Sequence, residues 1–182
     1  MNNAAAGPVP VLLSQKKIAR RVKELAQEIS ADYQGKQPLL VGILKGSWIF
    51  LADLVRQLTI PVYIDFITVS SYGASTKSSG VVKIVLDLKS PIEGKDVLIV
   101  EDILDTGLTL KYIMDHLRLR RPRSLKLCVL MDKPERRKVA VRPDYLGFMV
   151  PDRFVVGYGA DFNERFRYLP YIGFVEEPKD GG

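Results

Sequence analysis

The 182-residue chain has one cysteine, one histidine and one tryptophan. With Cys128 alone, no disulfide forms within the chain, which fits a reducing compartment such as the cytoplasm. Its place in the apolar run Leu125 to Met131 marks it as a small core residue. With His116 alone, histidine-rich zinc sites are excluded, and a serine–histidine triad would have to use that one ring. His116 sits beside the apolar face ending at Leu117, so a structural role is expected of it. No apolar run approaches the ~20 residues of a membrane helix. The start, Met1 to Pro8, lacks the basic segment and apolar core of a signal peptide. Residues 1–10 therefore read as a loose tail. Neither an internal repeat nor an interdomain linker is visible, and residues 1–182 read as one domain.

Charge is lopsided, with a formal net charge of +6 and a sequence pI near 9.4. Basic residues cluster at Lys16, Lys17, Arg20, Arg21 and Lys23, and again at Arg118, Arg120, Arg121 and Arg123. Such a balance can serve nucleic acid, a polyanionic small substrate or a merely solvated helix face. The first cluster is read as a solvated face. Aromatic residues do not interleave with either cluster as in single-strand binders, so no nucleic-acid partner is expected.

What the chain does have is a buried strand that ends in acids. Val97 to Val100 is the apolar run of a parallel strand, stopping at Glu101 and Asp102. Asp105, Thr106 and Gly107 form a turn. Leu110, Ile113, Met114 and Leu117 then mark one face of a helix from Leu108 to about Leu119. In an open α/β sheet, ligands bind where strand carboxyl ends meet helix N-termini. Free N–H groups at that helix start, with the hydroxyls of Thr106 and Thr109, suit a phosphate monoester. Gly107 lets the backbone come close to the anion. Glu101 and Asp102 repel phosphate but suit a sugar diol, or a magnesium ion bridging to a polyphosphate. Asp105 stands between the two and is the natural general base.

Glu101-Asp102-Ile103-Leu104-Asp105-Thr106-Gly107-Leu108-Thr109 resembles the phosphoribosyl pyrophosphate signature of type I phosphoribosyltransferases, and most nearly that of the hypoxanthine–guanine enzymes. The resemblance implies an α/β fold with a mostly parallel twisted sheet flanked by helices, a small hood and a flexible active-site loop. It implies transfer of a 5-phosphoribosyl group to a 6-oxopurine, with Mg2+, in a homo-dimer or homo-tetramer. Leu108 falls at a variable position of the signature, where the backbone is what contacts the phosphate.

The rest of the chain follows the same order. Ser14 caps a helix running to about residue 33, with Ile18, Val22, Leu25, Ala26 and Ile29 on its apolar stripe. Leu39 to Leu44 is a buried strand and Trp48 to Leu58 a helix. Between them Lys45, Gly46 and Ser47 form a second strand-to-helix loop, able to hold a pyrophosphate through Lys45 and exposed N–H groups. In the family, Leu-Lys-Gly at this place is the pyrophosphate loop, often with a non-proline cis peptide. Strands at Val62 to Ser71 and Val81 to Leu88 flank a polar stretch over 70–80, too long for a tight hairpin and read as a mobile functional loop. In the family that loop closes over the reaction centre, and Ser71 and Tyr72 match its Ser-Tyr pair.

A strand over Leu125 to Met131 precedes Lys133, which the resemblance assigns to the exocyclic oxygen of a 6-oxopurine. A short strand follows at Tyr145 to Val150. Phe154 would stack on the base and the Val155 backbone would meet its edge. Asp161, with Glu101 and Asp102, would serve the magnesium ion, and Asp161 also borders the purine. Arg167 would take the pyrophosphate. A last strand spans Tyr171 to Val175. Two alternatives stay open: a xanthine-preferring relative, and an RNA-binding regulator on the same fold. The acid at Asp105 argues against the regulator.

Overall fold

A computed structural model describes residues 9–71 and 82–175. Its main sheet joins β2 (Leu39–Leu44), β3 (Tyr63–Ser71), β4 (Val82–Leu86), β5 (Asp96–Leu104), β6 (Ser124–Asp132) and β7 (Tyr145–Met149) in the order β4-β3-β2-β5-β6-β7. All neighbours run parallel except the β3–β4 pair at the edge. Chain order reverses between β2 and β5, where Val41 pairs with Ile99. A crevice opens at such a switch point, at the strands' carboxyl ends. Lys45 follows β2, Asp105 follows β5 and Lys133 follows β6, so all three lie along that one edge.

Both faces of the sheet are covered, which explains the unbroken apolar runs. Leu98 and Val100 face one core cluster, with α1 (Gln15–Asp32) and α2 (Trp48–Val55). Val97 and Ile99 face the other, with α3 (Leu108–Arg118). The period-two alternation of a strand thus splits one sequence run between two cores. Ser14 accepts the Lys17 N–H at 3.4 Å and caps α1 as its sequence predicts.

A second, three-stranded sheet has the order β1-β9-β8, from β1 (Val11–Leu13), β8 (Phe154–Val156) and β9 (Ile172–Val175). It forms the hood. Leu13, Val155 and Ile172 belong to the same cluster as α1 and α2, so the hood has no separate core.

Several sequence-based expectations change. The strand does not stop at Val100: β5 runs on to Leu104, and Glu101 and Asp102 lie within it. The pairs Glu101 with Val129 and Ile103 with Met131 keep the ladder going, and this outweighs the poor strand propensity of acids. Val9, placed in the expected tail over residues 1–10, is buried and packs on Gly173, and β1 follows it; residues 1–8 lie outside the described residues. Helix α2 ends at Val55 rather than Leu58, and β4 at Leu86 rather than Leu88. Arg21 is not solvated: its Nη2 donates to Leu146 O at 2.7 Å and its Nε to Gly147 O at 3.2 Å, tying α1 to β7. Ser71 closes β3, while Tyr72 and the rest of the expected mobile loop lie outside the described residues.

Candidate active site

Each functional loop continues from a strand end, so the rigid sheet sets its place. Gly107, at φ +83°, turns the chain from β5 into α3 and precedes the helix's free N–H groups. Thr106 Oγ1 lies 3.4 Å from the Leu108 N–H, and the Thr106 carbonyl accepts the Lys138 N–H at 2.9 Å. Across the crevice, the Leu44–Lys45 peptide is cis. A Cβ on Gly46 would lie 2.4 Å from Asp102 Oδ2, and one on Gly159 (φ +103°) 2.1 Å from Gly46 O. Only glycine lets the Gly46 and Gly159 backbones meet and the Asp102 carboxylate lie against the Gly46 loop.

A cavity of about 170 Å³ lies between the two sheets, lined by Asp102, Ile103, Asp105, Lys133, Arg136, Phe154, Val155, Ala160 and Asp161. Pockets for drug-sized ligands run to ~300–1,000 Å³, so this one suits a single small heterocycle. Six expected residues from four separate stretches line it: Asp102, Asp105, Lys133, Phe154, Val155 and Asp161. Phe154 packs edge-on against Phe162, centroids 5.1 Å apart. Lys133 is buried, and its N–H donates to Leu104 O at 3.0 Å.

Asp102 lines the cavity and Glu101 does not, because successive strand residues face opposite sides. Burial pushes Asp102 up to about 6, against hydrogen bonds from its own N–H and that of Ile103. Burial, and then the Asp102 carboxylate, push Glu101 well above the usual carboxylate range. Among the described residues, Glu101 Oε2 and Asp105 Oδ1 are buried without a hydrogen-bond partner, although Asp105 Oδ1 has an arginine as ion-pair neighbour.

Asp161 is fully engaged. Its Oδ1 pairs with Arg167 Nη2 at 2.8 Å and its Oδ2 accepts the Glu164 N–H at 2.8 Å. Arg167 also donates from Nη1 to Gly159 O at 2.8 Å. Lys45, Gly46 and Arg167 stand beside the cavity rather than in its lining, and so does the Thr106 to Thr109 turn.

Three residues were missed by the sequence reading. Arg136 Nε lies 3.3 Å from Asp105 Oδ1, and Arg137 Nη1 donates to Asp105 O at 2.7 Å. Arg136 ends a short 3-10 turn at Pro134–Arg136 and Arg137 follows it; the turn's leading proline was the available signal. Glu164, near Lys45 and Arg167, belongs to the run Asp161-Phe162-Asn163-Glu164 that shares in the family resemblance, but no role was read for it; its neighbour Asn163 tolerates left-handed backbone.

A sequence profile of the phosphoribosyl transferase domain matches residues 11–163. A hypoxanthine-guanine phosphoribosyltransferase of Aquifex aeolicus is 55% identical, over 92% of this chain and 94% of its own length. The chain belongs to the hypoxanthine-guanine phosphoribosyltransferase family. A solved hypoxanthine phosphoribosyltransferase of Staphylococcus aureus superposes with a TM-score of 0.90 at 48% identity, covering 97% of this chain and 96% of that one. The chain is also 49% identical to the bifunctional protein TilS/HprT of Listeria innocua, of which it spans 26%.

Membership in a phosphoribosyltransferase family brings a divalent metal into question, and the donors fit one. Asp102 supplies hard carboxylate oxygens in the cavity wall, and the orphaned Glu101 Oε2 supplies another on the strand's other face. No group of three or more metal-ligating side chains occurs among the described residues. That suits an ion held by one or two carboxylates plus substrate oxygens, not by a protein cage. No helix among the described residues is long and apolar enough to cross a membrane.

Proposed function

We propose that this chain transfers the 5-phosphoribosyl group from phosphoribosyl pyrophosphate to hypoxanthine or guanine, releasing pyrophosphate and the nucleoside monophosphate. The observation that carries the proposal is the cavity in which Asp102, Asp105, Lys133 and Phe154 meet at the switch point of the sheet. Thr106, Gly107, Leu108 and Thr109 would hold the 5-phosphate through N–H groups and hydroxyls. Asp102 and Glu101 would accept hydrogen bonds from the ribose diol. Lys45, the Gly46 backbone and Arg167 would bind the pyrophosphate, whose charge they oppose as it leaves.

The base would stack on Phe154 with its edge along the Val155 backbone and Asp161. Lys133 would donate to its exocyclic oxygen, favouring a 6-oxopurine over a 6-amino one. Asp105 would take the proton from the ring nitrogen as the bond to the ribosyl carbon forms. Glu101 and Asp102 would serve a bound magnesium ion, with Asp161 joining once its pair with Arg167 opens, and the ion would supply neutralisation of charge on the departing pyrophosphate. The buried single thiol of Cys128 suits a reducing cytoplasm.

In the second arginine cluster, Arg118, Arg120, Arg121 and Arg123 each pair with an acid, which disfavours an RNA-binding reading. A homo-dimer or homo-tetramer is proposed from the exposed apolar edge strand β4, where Val85 is 64% exposed; sedimentation measures it. Initial rates with hypoxanthine, guanine, xanthine and adenine test the function. Turnover of the first two is expected, and turnover of adenine alone would refute the reading.

A further inference from the structure

Glu164 has no place in the reaction just described, yet it stands between the two cations assigned to the leaving group. Its Oε2 lies 2.9 Å from Lys45 Nζ and 3.4 Å from Arg167 Nη2. The backbone beneath it is unusual. Phe162 and Arg165 exchange both N–H···O bonds, at 3.2 and 3.0 Å, around a tight turn. Asn163 (φ +51°) and Glu164 (φ +61°), the turn's two central residues, are both left-handed. Glycine is the usual second residue of such a turn. L-residues with longer side chains avoid this conformation. Here a carboxylate is kept there, anchored by the Glu164 N–H on Asp161 Oδ2, and aimed at a lysine 119 residues away in sequence.

We infer that Glu164 is an internal stand-in for pyrophosphate. In the free enzyme its carboxylate draws Lys45 and Arg167 together; the diphosphate of the substrate displaces it, and it recaptures both cations as pyrophosphate departs. The inference rests on the assignment of Lys45 and Arg167 to pyrophosphate. The exchange is easy because the Lys45 and Glu164 side chains are 64% and 66% exposed, and exposed ion pairs hold weakly. The competition is correspondingly modest, weakening pyrophosphate binding by about three- to tenfold.

Calorimetric titration with inorganic pyrophosphate and magnesium tests this, alongside pyrophosphate as a product inhibitor. Glu164→Gln keeps the turn and the size while removing the charge. It should bind pyrophosphate about three- to tenfold more tightly, with a lower KM for the phosphoribosyl donor. Unchanged or weaker binding would overturn the inference, leaving Glu164 as a prop for the two cations. Lys45→Gln and Arg167→Gln are titrated in parallel. If neither weakens pyrophosphate binding, the assignment beneath the inference falls. If they weaken it and Glu164→Gln fails to tighten it, the inference alone falls.

Discussion

The two sheets that enclose the cavity are built by different means. The main sheet is parallel except at its β4 edge, covered on both faces, and presents loops from the ends of β2, β5 and β6. The hood is antiparallel, with strands of three, four and three residues, and borrows its apolar support from the helices under the main sheet. The main sheet brings the groups proposed for the sugar phosphate, together with Asp105 and Lys133, and the hood brings Phe154 and Val155, proposed to stack on the purine and meet its edge. A rigid half thus faces a half whose stability is not its own. The wall that carries Phe154 and Val155 is therefore held in place by packing outside the cavity.

The sharpest way to break this contrast is in the hood's borrowed core. Ile172→Ala removes a fully buried side chain of β9 and should cost about 2–5 kcal/mol. One unfolding transition should remain in calorimetry; a second, separate hood transition would show that the hood is independent. Next comes the joint between the halves. Gly159→Ala places a Cβ 2.1 Å from Gly46 O at a left-handed φ, and should cost roughly 2–4 kcal/mol of stability. Activity should fall with it, since the Lys45 loop must shift.

Within the rigid half, Asp105→Asn should lower turnover about 100-fold, or ~2.7 kcal/mol of barrier, with the melting temperature nearly unchanged. Steady-state rates check this; unaltered turnover would remove Asp105 from the role of base. The smallest effect concerns pH and a contact outside the site. Tyr145 Oη donates to Asp32 Oδ2 at 2.6 Å, and Lys126 Nζ does so at 3.0 Å. These bonds hold Asp32 below its ordinary value of 3.8. A lowered carboxylate stabilises the fold above the unfolded pKa, and this contribution disappears as pH falls through the folded one. Tyr145→Phe should flatten the loss of stability below about pH 4, read as melting temperature against pH.

The rigid half was legible because its signals are local. Apolar runs located β2, β5 and β6, and the acids and glycine after Val100 located the site. What misled was treating Glu101 and Asp102 as a loop, since β6 supplies a ladder partner that sequence periodicity does not reveal. Of the hood, β9 was legible as the strand over Tyr171 to Val175, while the part given to Phe154 came only through resemblance to a known family. Its β1 is three residues long, too short to show a period, and it exists because β9 offers a free edge. Arg136 and Glu164 escaped notice for a related reason: each matters through a partner distant in the chain.

The antiparallel pairing of β1 with β9 has a mechanical side. Val11 pairs with Gly173 and Leu13 with Ile172, so the strand ends nearest residues 9 and 175 emerge at the same end of the ribbon. Tension applied between those two points would peel the ribbon rung by rung instead of shearing it. A load hung there tugs on the neighbour of β8, and hence on the wall that carries Phe154.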